Sequence, residues 1–193
     1  MGRPALHTTE ELIDAALALA AASGPDAVTL SAVGRVSGAP SGSVYHRFES
    51  RSALLGHLWL RTTTRFQAGF LEALAAGPAL EGCNAAARFV VGWSRRHVDE
   101  SQVLLRGAVD FAPQAWPAEV SRDVAARRGE LESGLREAAE RLSGSSAGAL
   151  ERVIFATVDI PSAAVRRHRA SPGHRIPRST EALVELAVRA ILA

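Results

Sequence analysis

The sequence predicts an all-α protein: a small N-terminal domain of short helices, residues 1–65, ahead of a larger helical domain, residues 66–193. Three observations predict it. Apolar residues recur at helical spacing from Leu12 onward. The 47% apolar, 22% charged composition leans towards alanine and leucine, which lose least on entering a helix. No stretch alternates with a period of two for long enough to make a strand.

Each element follows from its own signals. Met1–His7 is short and polar and reads as a disordered arm carrying Arg3. Thr8 with Glu11 three residues on is a capping box. Leu12, Ile13, Ala16, Leu17 and Ala20 then form one apolar stripe, and Ser23-Gly24-Pro25 stops the helix with Gly24 in a left-handed conformation. Thr29 caps a second, short helix that points Leu30, Val33 and Val36 inward and ends before Gly38. After a turn of a few residues a third helix spans about 40–47, with Pro40 tolerated in its first turn and Val44 and Phe48 on its buried side. Ser50 caps a long fourth helix through Leu54, Leu55, Leu58 and Trp59 towards Leu74. Further helices are expected at about 80–98, 102–111, 117–142, 146–168 and 179–192. The breakers are Pro113, Pro117, Ser143–Ser146 and the Ser171–Pro177 stretch.

Charge is distributed unevenly. All 22 basic residues are arginine and the net charge is +2, so every cationic contact must be a guanidinium fork. Residues 1–34 carry −3, whereas residues 35–65 carry +4 through Arg35, Arg47, Arg51, Arg61 and Arg65 against Glu49. A local basic surface on a near-neutral chain suits an anion-binding module better than a polybasic tail. Cys83 is alone, which leaves no disulfide framework and no cysteine metal site. No apolar run reaches the length that spans a bilayer, and Glu10, Glu11 and Asp14 interrupt any signal-peptide core. The chain reads as cytosolic (cytoplasmic), with no membrane partner.

Two short helices joined by a tight glycine-containing turn and braced by a longer one form a helix-turn-helix. Its second helix must expose small or polar side chains to the major groove. The free face of the third helix offers Ser41, Ser43, Tyr45, His46 and Arg47, with Gly42 allowing close backbone approach. Serines and Tyr45 suit base edges or phosphates, and Arg47 and Arg51 suit the backbone. Thr29 adds a hydroxyl and helix-terminal amides. Spacing alone also fits a solvated face of a small bundle.

The run Thr29-Leu30-Ser31-Ala32-Val33, then Gly38 through Phe48 with Tyr45 three residues after Gly42, then Arg51 and Leu54-Leu55, resembles the N-terminal domain of the tetracycline-repressor (TetR) family over residues 8–60. The resemblance implies a homodimer that binds a pseudo-palindromic operator on double-stranded DNA. It further implies a repressor that releases the operator when a small-molecule effector enters the C-terminal domain. It assigns Tyr45 to a phosphate. Arg51 stands where a lysine is usual, Arg47 where a histidine is usual, and Pro40 where serine or threonine often caps the helix. The arginine changes keep positive charge; Pro40 removes a hydroxyl. Serines pair with either donors or acceptors, so the operator is not encoded in these residues.

In the C-terminal half Phe89, Trp93, Phe111, Trp116 and Phe155 are spread over segments that would meet inside the domain, with His97 one turn beyond Trp93. They are candidates for a ligand cavity, and equally for plain core. The family pairs its last two long helices as a four-helix bundle between protomers. Val153, Ala156, Thr157, Ile160, Ala164, Leu183, Leu186, Ala187, Ala190 and Ile191 suit such packing, with Pro161 bending the former helix or breaking one hydrogen bond. Arg166-Arg167-His168-Arg169 fits a helix C-terminus and solvent. An enzyme is the main rival, yet no phosphate loop, HExxH pair or nucleophile elbow is present, and His97, Asp99 and Glu100 do not converge on one helix face. No cofactor and no metal are implied. A purely structural bundle is the other rival.

Overall fold

Thr8 opens the first helix as anticipated. In the computed structural model, which describes residues 8–143, 146–169 and 175–193, its amide donates to Glu11 at 2.7 Å and its Oγ1 accepts from the Glu11 amide at 3.2 Å. The N-terminal arm, residues 144–145 and residues 170–174, which include the start of the Ser171–Pro177 breaker, lie outside the described residues, as does the side chain of Ser41. Helix α1 spans Thr9–Ser23 and buries Leu12, Ile13, Ala16, Leu17 and Ala20. Gly24 ends it at φ 86°, but with ψ 169° rather than a left-handed helical value, an extended positive-φ region that is essentially glycine's alone. Pro25–Ala27 then makes a 3-10 turn that the spacing does not predict.

Helix α2, Leu30–Ser37, is capped by Thr29, whose Oγ1 accepts from the Ala32 amide at 3.0 Å. Val36, expected inside, is 51% exposed, because α2 is too short to bring its last turn under a neighbour. Gly38 adopts the left-handed conformation, φ 71° and ψ 8°, that turns the chain into α3, Ser41–Arg47. Pro40 caps α3 instead of entering it; its carbonyl accepts from the Ser43 amide at 2.8 Å. Helix α4 runs Arg51–Ala75, with the Ser50 hydroxyl accepting from the Ala53 amide at 3.1 Å.

Helix α5 spans Ala79–Arg96 and α6 Val98–Arg106. The helix expected to reach residue 111 stops at 106, where Gly107 turns to φ 86°, and Ala108–Phe111 and Pro113–Ala115 continue as separate 3-10 turns. Helix α7 spans Ala118–Ser143, α8 Ala149–Ile154, α9 Ile160–Arg169 and α10 Ser179–Leu192. Between α8 and α9 the chain makes a π turn over Phe155–Asp159, with the Ile160 amide donating to the carbonyl of Phe155. Pro161 explains it: with no amide to donate and a ring that would strike the carbonyl four residues back, it widens the preceding turn. The apolar stripe therefore shifts by one residue. Val153, Ala156 and Thr157 are buried, but then Pro161 and Val165, whereas Ile160 and Ala164 are only half-buried. Among the described residues every regular element is helical.

The chain forms two compact units, Met1–Thr63 with Asp99–Ala125, and Thr64–Val98 with Ala126–Ala193. The first has one apolar core to which α1 to α4 and the α1–α2 link contribute Leu12, Val28, Val33, Val44, Phe48, Leu54, Leu55 and Leu58, and residues 99–125 contribute Val103, Phe111, Trp116 and Val120. In the second, α5 packs against α9 and α10. Arg95 Nη1 joins Glu181 at 2.6 Å, and Arg189 bridges Glu81 and Glu185. Cys83 is fully buried on α5, and burial pushes its thiol up to about 11 against the opposing pull of Arg141. Among the described residues no helix is long and apolar enough to cross a membrane.

Candidate nucleic-acid interface

Helix α3 has two faces of opposite character. Val44 and Phe48 are 0% and 2% exposed and join the core, with Phe48 edge-on to His57 at 5.7 Å between ring centroids. On the other side Gly42, Ser43, Tyr45, His46 and Arg47 are exposed, Tyr45 by 59%. A phenol bearing that much apolar surface normally finds cover; here the Tyr45 hydroxyl has no partner among the described residues. A Cβ built at Gly42 would meet nothing within 4 Å, so the helix offers bare backbone there. A Cβ at Gly34 would sit 3.2 Å from the Ala39 carbonyl oxygen, which holds the turn between α2 and α3 tight.

The remaining candidates are employed differently from one another. The Thr29 hydroxyl is engaged with the Ala32 amide and lies 3.1 Å from the Ser31 hydroxyl, so it serves α2 first. Arg47 reaches back to α1, its Nη1 donating to Thr9 Oγ1 at 2.7 Å. Arg51, expected to grip a phosphate, commits two of its nitrogens within the helix-turn-helix. Its Nε donates to the Val28 carbonyl at 2.8 Å and its Nη2 to the Pro25 carbonyl at 2.7 Å, with Asp26 at 3.4 Å. Residue Arg61 ties α4 to α1 through Glu10 at 3.0 Å and Asp14 at 2.8 Å, and its side chain is 12% exposed. Three of the five arginines that make residues 35–65 basic, Arg47, Arg51 and Arg61, thus have partners inside the unit, and of these Arg47 stays exposed, as does Arg35.

The aromatic candidates for a ligand cavity are divided between the two units. Phe89, Trp93 and His97 form one cluster in the second unit, built around Phe66: Phe66 lies 5.7 Å from Phe89 and 5.0 Å from Trp93, and His97 stacks on Trp93 at 4.9 Å. Phe111 and Trp116 belong to the core of the first unit. Trp116 Nε1 donates to the Phe111 carbonyl at 2.8 Å, and both rings pack on Trp59. They join that core because Gly56 leaves room: a Cβ there would meet Val120 at 2.9 Å and Trp116 at 3.1 Å. Phe155 is 51% exposed and borders an open groove of ≈ 790 Å³ along α8 and the π turn. Phe66 and Phe70, stacked at 6.0 Å, escape the sequence reading, although their spacing of four on α4 is a helical pair. Among the described residues no group of three or more His, Cys, Asp or Glu is placed to hold a metal.

Residues 12–58 match the family model described as bacterial regulatory proteins, tetR family. Among curated proteins none matches the sequence. Solved structures share the fold over nearly the whole chain. A TetR family transcriptional regulator, PfmR from Thermus thermophilus, superposes with a TM-score of 0.73 at 16% identity, covering 94% of this chain and 96% of its own. A transcriptional regulator from Rhodococcus sp. Rha1 gives 0.72 at 20% identity over 96% of each chain. The transcriptional regulator FadR from Bacillus subtilis, solved in complex with stearoyl-CoA, gives 0.72 at 13% identity over 96% of this chain and 98% of its own.

Proposed function

We propose, from the match of residues 12–58 to the tetR family of bacterial regulatory proteins, that the chain is a dimeric repressor whose operator DNA is released when a small molecule occupies its C-terminal unit. The observation that supports the reading best is the exposed phenol of Tyr45 on a helix whose opposite side is anchored by Val44 and Phe48. A helix held in that way presents its outer residues rigidly, which is what major-groove recognition asks for. In this reading Ser43 and His46 meet base edges. Tyr45, Arg47 and the amides at the start of α2 behind Thr29 meet phosphates, Gly42 lets α3 sit close, and Ser41 lies at the leading end of the helix. Arg51 acts through α2 as a positioning residue.

Dimerisation is assigned to the C-terminal unit, where Leu183 and Leu186 on α10 are 63% and 64% exposed. Two leucines one turn apart on a free helix face are costly to leave in water and suit pairing with a second copy. The effector is assigned to the same unit, on the likeness to FadR, which was solved with stearoyl-CoA, and on the aromatic cluster of Phe89, Trp93 and His97.

The test is selection of genomic DNA fragments by the purified full chain, followed by fluorescence anisotropy on the selected duplex. Wild type should bind it at least a hundredfold more tightly than a scrambled duplex, and Tyr45→Ala with His46→Ala should lose at least tenfold. Equal binding of both duplexes by wild type would remove the proposal, and a structural bundle would be the better account.

A further inference from the structure

Four arginines converge on one cavity in the second unit, far along the chain from the helix-turn-helix. The cavity, of ≈ 430 Å³, is lined by Arg95, Val98, Arg169, Arg175, Ile176 and Arg178. Two of the arginines are built into its wall. Arg95 donates through Nε to the Ile176 carbonyl at 3.1 Å and through Nη2 to the Pro177 carbonyl at 3.0 Å, while Nη1 meets Glu181 at 2.6 Å. Arg169 donates to the Ser94 carbonyl at 2.6 Å. The other two, Arg175 and Arg178, are exposed, and their side chains have no hydrogen-bond or ion-pair partner among the described residues. Among the described residues the lining contains no carboxylate, and Glu181, outside the lining, is paired to Arg95.

We propose that this cavity is a binding site for a small molecule bearing a phosphate or pyrophosphate group. The side chains of Arg175 and Arg178 add unpaired positive charge to a concave surface whose lining holds no carboxylate among the described residues, and concavity concentrates the field. Surface arginines normally separate or find acids. Here carbonyl contacts fix Arg95 and Arg169 in place, so a ligand need order only Arg175 and Arg178. The side chains of Arg175 and Arg178 each present a planar fork that fits two oxygens of a phosphate, while Arg95, with all three nitrogens engaged, serves as the wall. Ile176, 3% exposed, supplies a dry floor beside the charges, and the volume falls within the range of small-molecule sites. The site shares no lining residue with the aromatic cluster and does not rest on the DNA-binding reading.

Isothermal titration of the full chain with sodium pyrophosphate, at ionic strength matched with sodium chloride, tests the assignment. Wild type and the control Arg136→Gln, an exposed arginine on α7, should show saturable binding of one pyrophosphate per chain and a raised melting temperature. Arg175→Gln with Arg178→Gln should keep the unliganded melting temperature and bind at least tenfold more weakly. ADP run alongside separates an anion read alone from one read on an organic carrier; retention of either by wild type and loss in the double variant supports the site. No saturable heat beyond the chloride control, or equal binding by the double variant, overturns it. So does a double variant that loses affinity for duplex DNA while wild type ignores pyrophosphate, which would give these arginines to the DNA backbone.

Discussion

Arg51 Nε donates to the carbonyl of Val28 at 2.8 Å, joining the first residue of α4 to the chain just ahead of α2. The same guanidinium reaches the Pro25 carbonyl, so one side chain fixes both ends of the link between α1 and α2. Arg51→Ala should lower stability by about 1–3 kcal/mol, since two carbonyls lose a charged donor. DNA affinity should fall with it, through misplacement of α2, while the slope of affinity against salt stays unchanged. Urea unfolding and a salt titration of binding check this together; a slope reduced by about one unit would return Arg51 to a phosphate.

Gly42 separates stability from recognition. A side chain there meets nothing in the free protein, and glycine within a helix costs about 0.5–1 kcal/mol relative to alanine. Gly42→Ala should therefore raise the unfolding free energy by roughly that amount and yet weaken operator binding, because the methyl stands between α3 and the groove. A variant that is more stable and binds DNA as well as wild type would show that α3 does not approach DNA on this side.

Leu183 and Leu186 provide the test of association. Leu183→Glu with Leu186→Glu places two carboxylates on exposed positions, so the protomer fold should survive, as circular dichroism would report. Sedimentation at micromolar concentration should then find a dimer for wild type and a monomer for the double variant. A dimer unaffected by both changes would assign the interface to another face.

The thiol of Cys83 makes stability fall at high pH. Its pKa rises from 9.0 to about 11 on folding, so above pH 9 the unfolded chain has released a proton that the folded chain still holds. Stability attached to this group is whole below pH 9 and is lost as pH climbs towards 11, amounting to about 2–3 kcal/mol at most. Cys83→Ala should flatten that part of the profile, measured by urea unfolding from pH 8 to 11. A profile identical to wild type would show that the thiol is not protected by burial.

Local chemistry is readable from the residues alone. Thr8 with Glu11, Thr29 with Ala32, and Gly38 each act within four residues, and their caps and turn follow from side-chain reach and backbone freedom. The outward face of α3 follows from the burial of Val44 and Phe48 on the other side. Long-range employment is not readable. An arginine looks the same in sequence whether it faces solvent, as Arg35 does, or commits its donors to carbonyls 23 and 26 residues away, as Arg51 does. Order along the chain groups Phe111 and Trp116 with the C-terminal aromatics, whereas they join the core of the first unit, where Gly56, far earlier in the chain, leaves room for Trp116 and Val120.

The wide turn at Phe155–Asp159 has a bearing on how this chain is compared with others. It contains one residue more than an α-helical turn would need, and everything after it is rotated by about 100° about the axis relative to an uninterrupted helix. A relative that lacks the wide turn is one residue shorter here, and a faithful superposition of the two chains must place its gap in mid-helix. Pairing them without that gap would match Ile160 with the counterpart of Pro161 and misassign every inward position through Val165.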